Sequence, residues 1–248
     1  MDQLSNIFQP NTNAFRQMAT PIPTMDHRYF KPSEQLTGAD NSRKTDRCNG
    51  NYRGDRNLSI NRGTDVAEEK NTSLWITGLP GSTTVPKLLA AIRKTGRVRS
   101  TVVNGPNETS STAASSISFF RREDAEVLYN AIQQGRIIIE GKFPRVQWNR
   151  NRIGEEEVPG HASRVLLIAG DPLVVNQDYL DGFFKRKFVY DIDEIIDHGT
   201  VPGFGGLISR LEYRFGSWRS QASFARLALN LELTGFLLAE YGEDPCAG

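Results

Sequence analysis

Cysteine is almost missing from this 248-residue chain: Cys48 and Cys246 are the only two, near opposite ends of the sequence. Such a pair excludes a disulfide framework and a cysteine-built metal knot. Histidine is nearly as scarce, and none of His27, His161 and His198 is spaced to pair with a nucleophile or a metal-binding partner. No enzyme is expected, and neither a cofactor nor a metal site. Asp191, Asp193, Glu194, Asp197 and His198 form the one patch suited to a cation, and the alternation about Ile192 reads more simply as a strand with one solvated face. No run approaches the roughly 18 apolar residues of a membrane span. The opening MDQLSNIFQPNTNAF lacks the charged start and apolar stretch of a signal peptide. The expectation is an intracellular protein, nuclear, cytoplasmic or both, with no membrane partner. The sequons at Asn57, Asn71 and Asn107 and the tripeptide Arg53-Gly54-Asp55 then read as chance matches.

Net charge is missing too, at +1, but here the absence is a cancellation. Residues 1–72 carry 10 basic and 9 acidic side chains, residues 73–152 carry 12 and 5, and residues 153–248 carry 8 and 15, giving +1, +7 and −7. A basic middle block is the electrostatic footprint of a polyanion partner, and an acidic last third argues against a second surface of that kind.

Residues 1–71 are rich in Asn, Thr, Asp, Arg and Gly and have no sustained period, the composition of a disordered arm. Within it Arg43, Lys44, Arg47, Arg53, Arg56 and Arg62 could add nonspecific phosphate contacts. Regular patterning begins at Ser73. LWITGL alternates as a strand, and VPKLLAAIRKTG sets Val85, Leu88, Leu89 and Ile92 at helical spacing, with Pro86 in the first turn and Gly96 ending it. Two β-branched runs then flank a turn containing Asn104, Gly105, Pro106 and Asn107, a hairpin signal. REDAEVLYNAIQQG follows as a helix, and RIIIEGKFPRVQWNR supplies the last strand, broken by Gly141 and Pro144. The order is β-α-β-β-α-β.

After an acidic connector at 153–162 the unit repeats: LWITGLP at 74–80 returns as LLIAGDP at 166–172, 92 positions on. NQDYLDGFF is a helix with Asn176 as N-cap, VYDIDEII and LISRLEYRF are strands joined through Gly199, Pro202, Gly203, Gly205 and Gly206, SQASFARLALNLEL is a helix and GFLLAEYG a strand. The predicted class is α+β: an arm at 1–71, two ferredoxin-like β-α-β-β-α-β units at 72–152 and 163–248, and a linker at 153–162. The second unit ends in a short C-terminal tail.

The glycines of SLWITGLPGST do not make a phosphate loop, because Gly81 is followed by Ser82 and Thr83 and not by the lysine that such a loop needs. The open four-stranded layout resembles instead the RNA recognition motif (RRM), twice over, across 73–152 and 163–245. In that family a six-residue signature on the first strand has an aromatic second position, an eight-residue signature on the third strand has aromatics at positions three and five, and these rings stack bases. Laid on the first unit, the six-residue element is Leu74–Leu79 with Trp75 at the stacking position. Alternation supports this independently, since Leu74 and Ile76 must face the helices. The eight-residue element is Thr112–Phe119, with Ala114 and Ser116 where rings are expected.

The resemblance implies single-stranded RNA as partner, held through Trp75, Thr77, Ala114, Ser116 and the outward residues of the last strand, Arg145, Gln147, Asn149 and Arg150. Trp148 points the other way and reads as packing. The second unit has Leu167, Arg210 and Glu212 at the three ring positions. An aliphatic and mixed-charge sheet in an acidic unit suits a protein contact better than RNA capture. The alternative is an assembly scaffold in which both sheets recognise protein.

Overall fold

The computed structural model describes residues 66–108, 110–157, 161–203 and 205–248. Most of the expected arm, residues 1–65, lies outside the described residues. Residues 66–71 correct its boundary: Glu68–Lys70 form a 3-10 turn, and Asn71 is buried, its side-chain oxygen accepting from the N–H groups of Ser73 and Ile153. A short polar stretch has no period to read, and it is fixed here by partners far along the chain.

The first unit runs β1 (Ser73–Leu79), α1 (Val85–Ala91), β2 (Val98–Asn104), β3 (Ala113–Phe119), α2 (Arg122–Gln133) and β4 (Arg145–Trp148). The second runs β5 (Val165–Gly170), α3 (Gln177–Lys185), β6 (Ile192–Gly203), β7 (Gly206–Phe215), α4 (Ser223–Glu232) and β8 (Leu237–Tyr241). Each makes one antiparallel sheet, in the orders β2-β3-β1-β4 and β6-β7-β5-β8. Period-two alternation puts Leu74, Ile76, Ile117, Phe119 and Val146 on the helix side, where they meet Leu88, Leu89, Leu128 and Ile132. The second core is built likewise from Leu166, Ile168, Leu211, Tyr213 and Phe215 against Leu180, Phe184 and Leu229. Each such aliphatic side chain contributes about 1.5–3 kcal/mol on burial. Asn176 caps α3 as expected, its side chain accepting from the Tyr179 N–H at 2.9 Å.

Three local expectations change. α1 stops at Ala91, before Gly96, and the Thr95 hydroxyl donates to the freed Ile92 carbonyl at 2.7 Å. In the second unit the glycine-rich stretch is not one loop: β6 continues to Gly203 and β7 restarts at Gly206. Gly199, at φ +76°, sits where the register shifts between Asp197 and Thr200, so it forms a bulge within the strand. Pro202 is tolerated because β6 is an edge strand. Finally, only Arg145–Trp148 of the expected last strand of the first unit enters the sheet. Glu140 and Gly141 take positive φ (47° and 80°) and turn the preceding residues into a small hairpin closed by Ile139 and Lys142.

The units are joined by a buried seam. Beyond β8 the chain enters the first unit, so that Cys246 has no exposed surface and belongs to the first core. Asp244 accepts from the Val98 N–H at 2.8 Å, and from Arg164 Nε and the Cys246 N–H at 2.9 Å each. Arg164, also without exposed surface, donates to Asp193 and to the Phe215 carbonyl at 2.9 Å each. Burial opposes the Arg164 charge, but Asp244, Cys246 and Asp193 outweigh it and hold the guanidinium above its ordinary pKa. Arg93 of the first unit reaches Asp193 at 3.3 Å. Ser217 receives the Thr101 N–H and donates to its carbonyl, which satisfies part of the β2 edge, and Trp218 packs on Phe120 with ring centroids 5.1 Å apart. The expected C-terminal tail is therefore a plug in the other unit. The acidic linker is fastened as well: Glu156 pairs with Arg99, and Glu155 accepts from the Arg122 N–H.

Candidate nucleic-acid interface

The sheet of the first unit turns one face to its helices and the other outward. Register fixes the outward rows. Trp75 lies between Ser116 on β3 and Gln147 on β4, and Val102 on β2 stands beyond Ser116. The row above contains Asn104 beside Ala114, and Thr77 beside Arg145. Between Ile76 and Leu79 the β1 register shifts, with Gly78 at φ +73°, so the glycine of the six-residue element forms a bulge at the end of the strand. Seven of the eight residues predicted from sequence thus share one face or continue it. Arg150 follows in the turn after β4.

These residues differ in availability. Arg145, Gln147 and Arg150 are exposed, and Trp75, Thr77, Ala114 and Ser116 are partly so. Asn149 is engaged: its amide donates to Ser116 Oγ at 2.9 Å and its oxygen accepts from the Asn151 N–H. Neither Arg145 nor Arg150 has an ion-pair partner among the described residues, so both charges face solvent. The row below is closed. Ser73 and Ser118 have no exposed surface, and the chain leaving β4 returns beside them, with the Glu156 N–H donating to the Phe120 carbonyl. The open area is therefore two rows deep. Val102, 50% exposed beside Ser116, belongs to it and was missed because an alternating valine carries no functional signal.

Trp148 is on the opposite face, as alternation requires. It stacks on Tyr129 at 5.1 Å and 10° between planes, and the Arg122 guanidinium lies 3.4 Å from its ring centroid. It is a packing residue.

The second sheet presents a different surface. Leu167 at the position equivalent to Trp75 is 4% exposed, and Glu212 beside it on β7 is 6% exposed. Glu212 is bracketed by His198 at 3.0 Å and Arg214 at 2.6 Å, Arg214 also pairs with Glu194, and Arg210 donates to the His198 carbonyl. His198, which follows the stretch VYDIDEII expected as a strand, is within β6. Where rings could stand, this face is filled by ion pairs among its own residues.

Strand order and register now decide the architecture: two antiparallel sheets, each with the first and third strands central and both helices on one side. Each unit has the fold of an RNA recognition motif. The first unit keeps one ring of that motif's signature, and the second unit none. No family model and no curated protein matches the chain. Among solved structures it is similar to the first two RRM domains of the yeast poly(U) binding protein Pub1, at 15% identity over 69% of this chain and 99% of that one, TM-score 0.28. It is similar also to RNA recognition domains 1 and 2 of Drosophila melanogaster Sex-lethal, at 19% identity over 69% and 100%, TM-score 0.25. A PID-3 TOFU-6 RRM domain complex matches at 18% identity over 36% and 96%, TM-score 0.30. Overlaps this low carry no argument, and the fold rests on the sheets themselves. Among the described residues no helix is long and apolar enough to cross a membrane, and no group of three or more His, Cys, Asp or Glu is placed to hold a metal ion.

Proposed function

We propose that the protein binds single-stranded RNA on the open sheet of its first RRM, with Trp75 stacking one base and Arg145 and Arg150 meeting phosphates. It acts as a binding protein and catalyses no reaction. The observation that carries this reading is the row Val102, Ser116, Trp75, Gln147: an uncovered sheet whose one ring stands between polar neighbours, beside two exposed arginines with no ion-pair partner among the described residues, in a unit of charge +7. A stacked base contributes about 1–3 kcal/mol. Each phosphate contact adds a salt-dependent increment, a slope of about −0.7 per phosphate for a single strand. Thr77, Ala114, Ser116 and Gln147 frame the base, and Ala114 and Ser116 offer room where most relatives of this fold place rings. Asn149, already bonded to Ser116, positions that framework.

The second RRM serves a protein contact in this reading, because its face is occupied by its own ion pairs. The same observation favours the rival scaffold reading, in which neither sheet takes RNA. A titration of the full chain with a labelled mixed-sequence RNA separates the two. Binding is expected at low salt, weakening steeply as salt rises, and Trp75→Ala should cost about tenfold. Unchanged affinity in Trp75→Ala would remove the stacking role, and no RNA binding by the parent at low salt would leave the scaffold reading.

A further inference from the structure

The most exposed aromatic side chain among the described residues is Phe143, at 64%. It stands in the hairpin between α2 and β4, a segment that no RRM signature includes. That hairpin is rigid. Ile139 and Lys142 exchange two backbone hydrogen bonds of 2.9 and 3.0 Å, and Ile139 is buried in the first core at 2% exposure. Between them Glu140 is fixed to the start of α1 by Lys87 Nζ at 2.6 Å and Ser82 Oγ at 3.1 Å. Ile138 and Phe143 are the residues on either side of the bridged turn, and Ile138 is 50% exposed. The Phe143 ring passes beside Gly135, just past α2, and leaves most of its surface in water.

Its direction and surroundings indicate an occupant. From 143 to 147 exposure alternates: Phe143, Arg145 and Gln147 are exposed while Pro144 and Val146 are buried. Phe143, two residues before β4 begins, is thus in phase with Arg145 and with the Gln147 that pairs with Trp75. Lys142 precedes it and Arg145 lies two residues on, both exposed, and the one acid of the hairpin, Glu140, is neutralised by Lys87. A flat ring next in sequence to exposed cations complements a strand that alternates bases with phosphates.

We propose that Phe143 is a second base-stacking residue, over which single-stranded RNA passes after leaving Trp75. This rests on the RNA-binding reading of the first RRM and extends its site beyond the sheet. The ring that β3 lacks at Ala114 and Ser116 is supplied from the hairpin, and the site spans several nucleotides rather than one.

The test uses the full chain and a labelled single-stranded RNA of about ten nucleotides, within the usual span of such sites. Phe143→Ala should weaken binding about tenfold, with the salt slope unchanged because no phosphate contact is removed. Phe143→Trp should restore affinity. A strand of the same length made of abasic nucleotides should bind the parent and Phe143→Ala alike, which a merely structural role would not produce. Phe143→Ala binding within twofold of the parent, while Trp75→Ala loses tenfold, overturns this inference and leaves the Trp75 site standing. Absence of RNA binding by the parent overturns both.

Discussion

Asp244→Ala should unfasten the two RRMs. In the folded protein Asp244 faces Arg164 at 2.9 Å, and neither side chain has exposed surface. Its carboxylate also receives the Val98 and Cys246 N–H groups. Alanine leaves the buried guanidinium with Asp193 as its one carboxylate, which Arg93 already shares, and takes the acceptor from two amides. Breaking one side of a buried pair costs about 3–5 kcal/mol, a large part of the 5–15 kcal/mol that stabilises a typical domain. Asp244→Asn keeps an acceptor for the amides without the charge and should fall between parent and alanine. Urea denaturation measures this, followed by far-UV circular dichroism and by the fluorescence of Trp218, which lies at the seam against Phe120. The parent should show coincident transitions. In Asp244→Ala the fluorescence change should come at lower urea than the loss of secondary structure, because undocking now precedes unfolding. A loss under about 1 kcal/mol with coincident transitions would refute the seam as a source of stability.

Cys246 gives a second test of the same region. Burial, reinforced by Asp244 and opposed by Arg164 and Arg93, pushes its thiol up to about 11. It should resist alkylation at pH 8 in the native protein and react after denaturation, as read by mass spectrometry of the labelled peptide; rapid native labelling would contradict its place in the core. As pH rises the unfolded thiol ionises first, near 9, while the folded one holds its proton to about 11. Its contribution to stability is therefore complete below pH 9 and is lost between 9 and 11. Tyr190, raised by burial and by Asp181 to about 12, adds a similar loss only above pH 10. Cys246→Ala should flatten stability between pH 9 and 10, and an unchanged slope there would assign the loss elsewhere. On the second sheet, Arg210→Ala should leave RNA affinity within about twofold, since that guanidinium is bonded to the His198 carbonyl; a tenfold loss would place RNA on the second RRM.

The elements around the candidate site were legible because their signals are local. Leu74 and Ile76 inside with Trp75 outside follows from strand alternation, and Val85, Leu88 and Leu89 give α1 from helical spacing. The outward run Arg145, Gln147, Asn149 and the inward Trp148 came from the same period. Gly199 misled because a glycine reads alike as a turn or as a bulge, and only the pairing of β6 with β7 distinguishes them. Phe143 was passed over because it stands between Gly141 and Pro144, residues that mark an interruption without saying which way the next side chain points.

Charge shows the limit of counting. The −7 of the last third includes Asp193 and Asp244, which are buried against Arg164 and so present no field to an approaching phosphate. No count separates such groups from solvated ones, because the partners stand as far apart as Arg164 and Asp244, 80 positions. The sequence by itself determined the two repeated units, the faces of their strands and the single ring of the signature, since each depends on periods of two or 3.6 residues. Tertiary structure alone decided that the C-terminal segment completes the core of the first RRM, that the linker closes the lower rows of its sheet, and that a rigid hairpin extends the open face. Those outcomes depend on which distant surfaces fit and which buried charges find partners, and neither is written in local order.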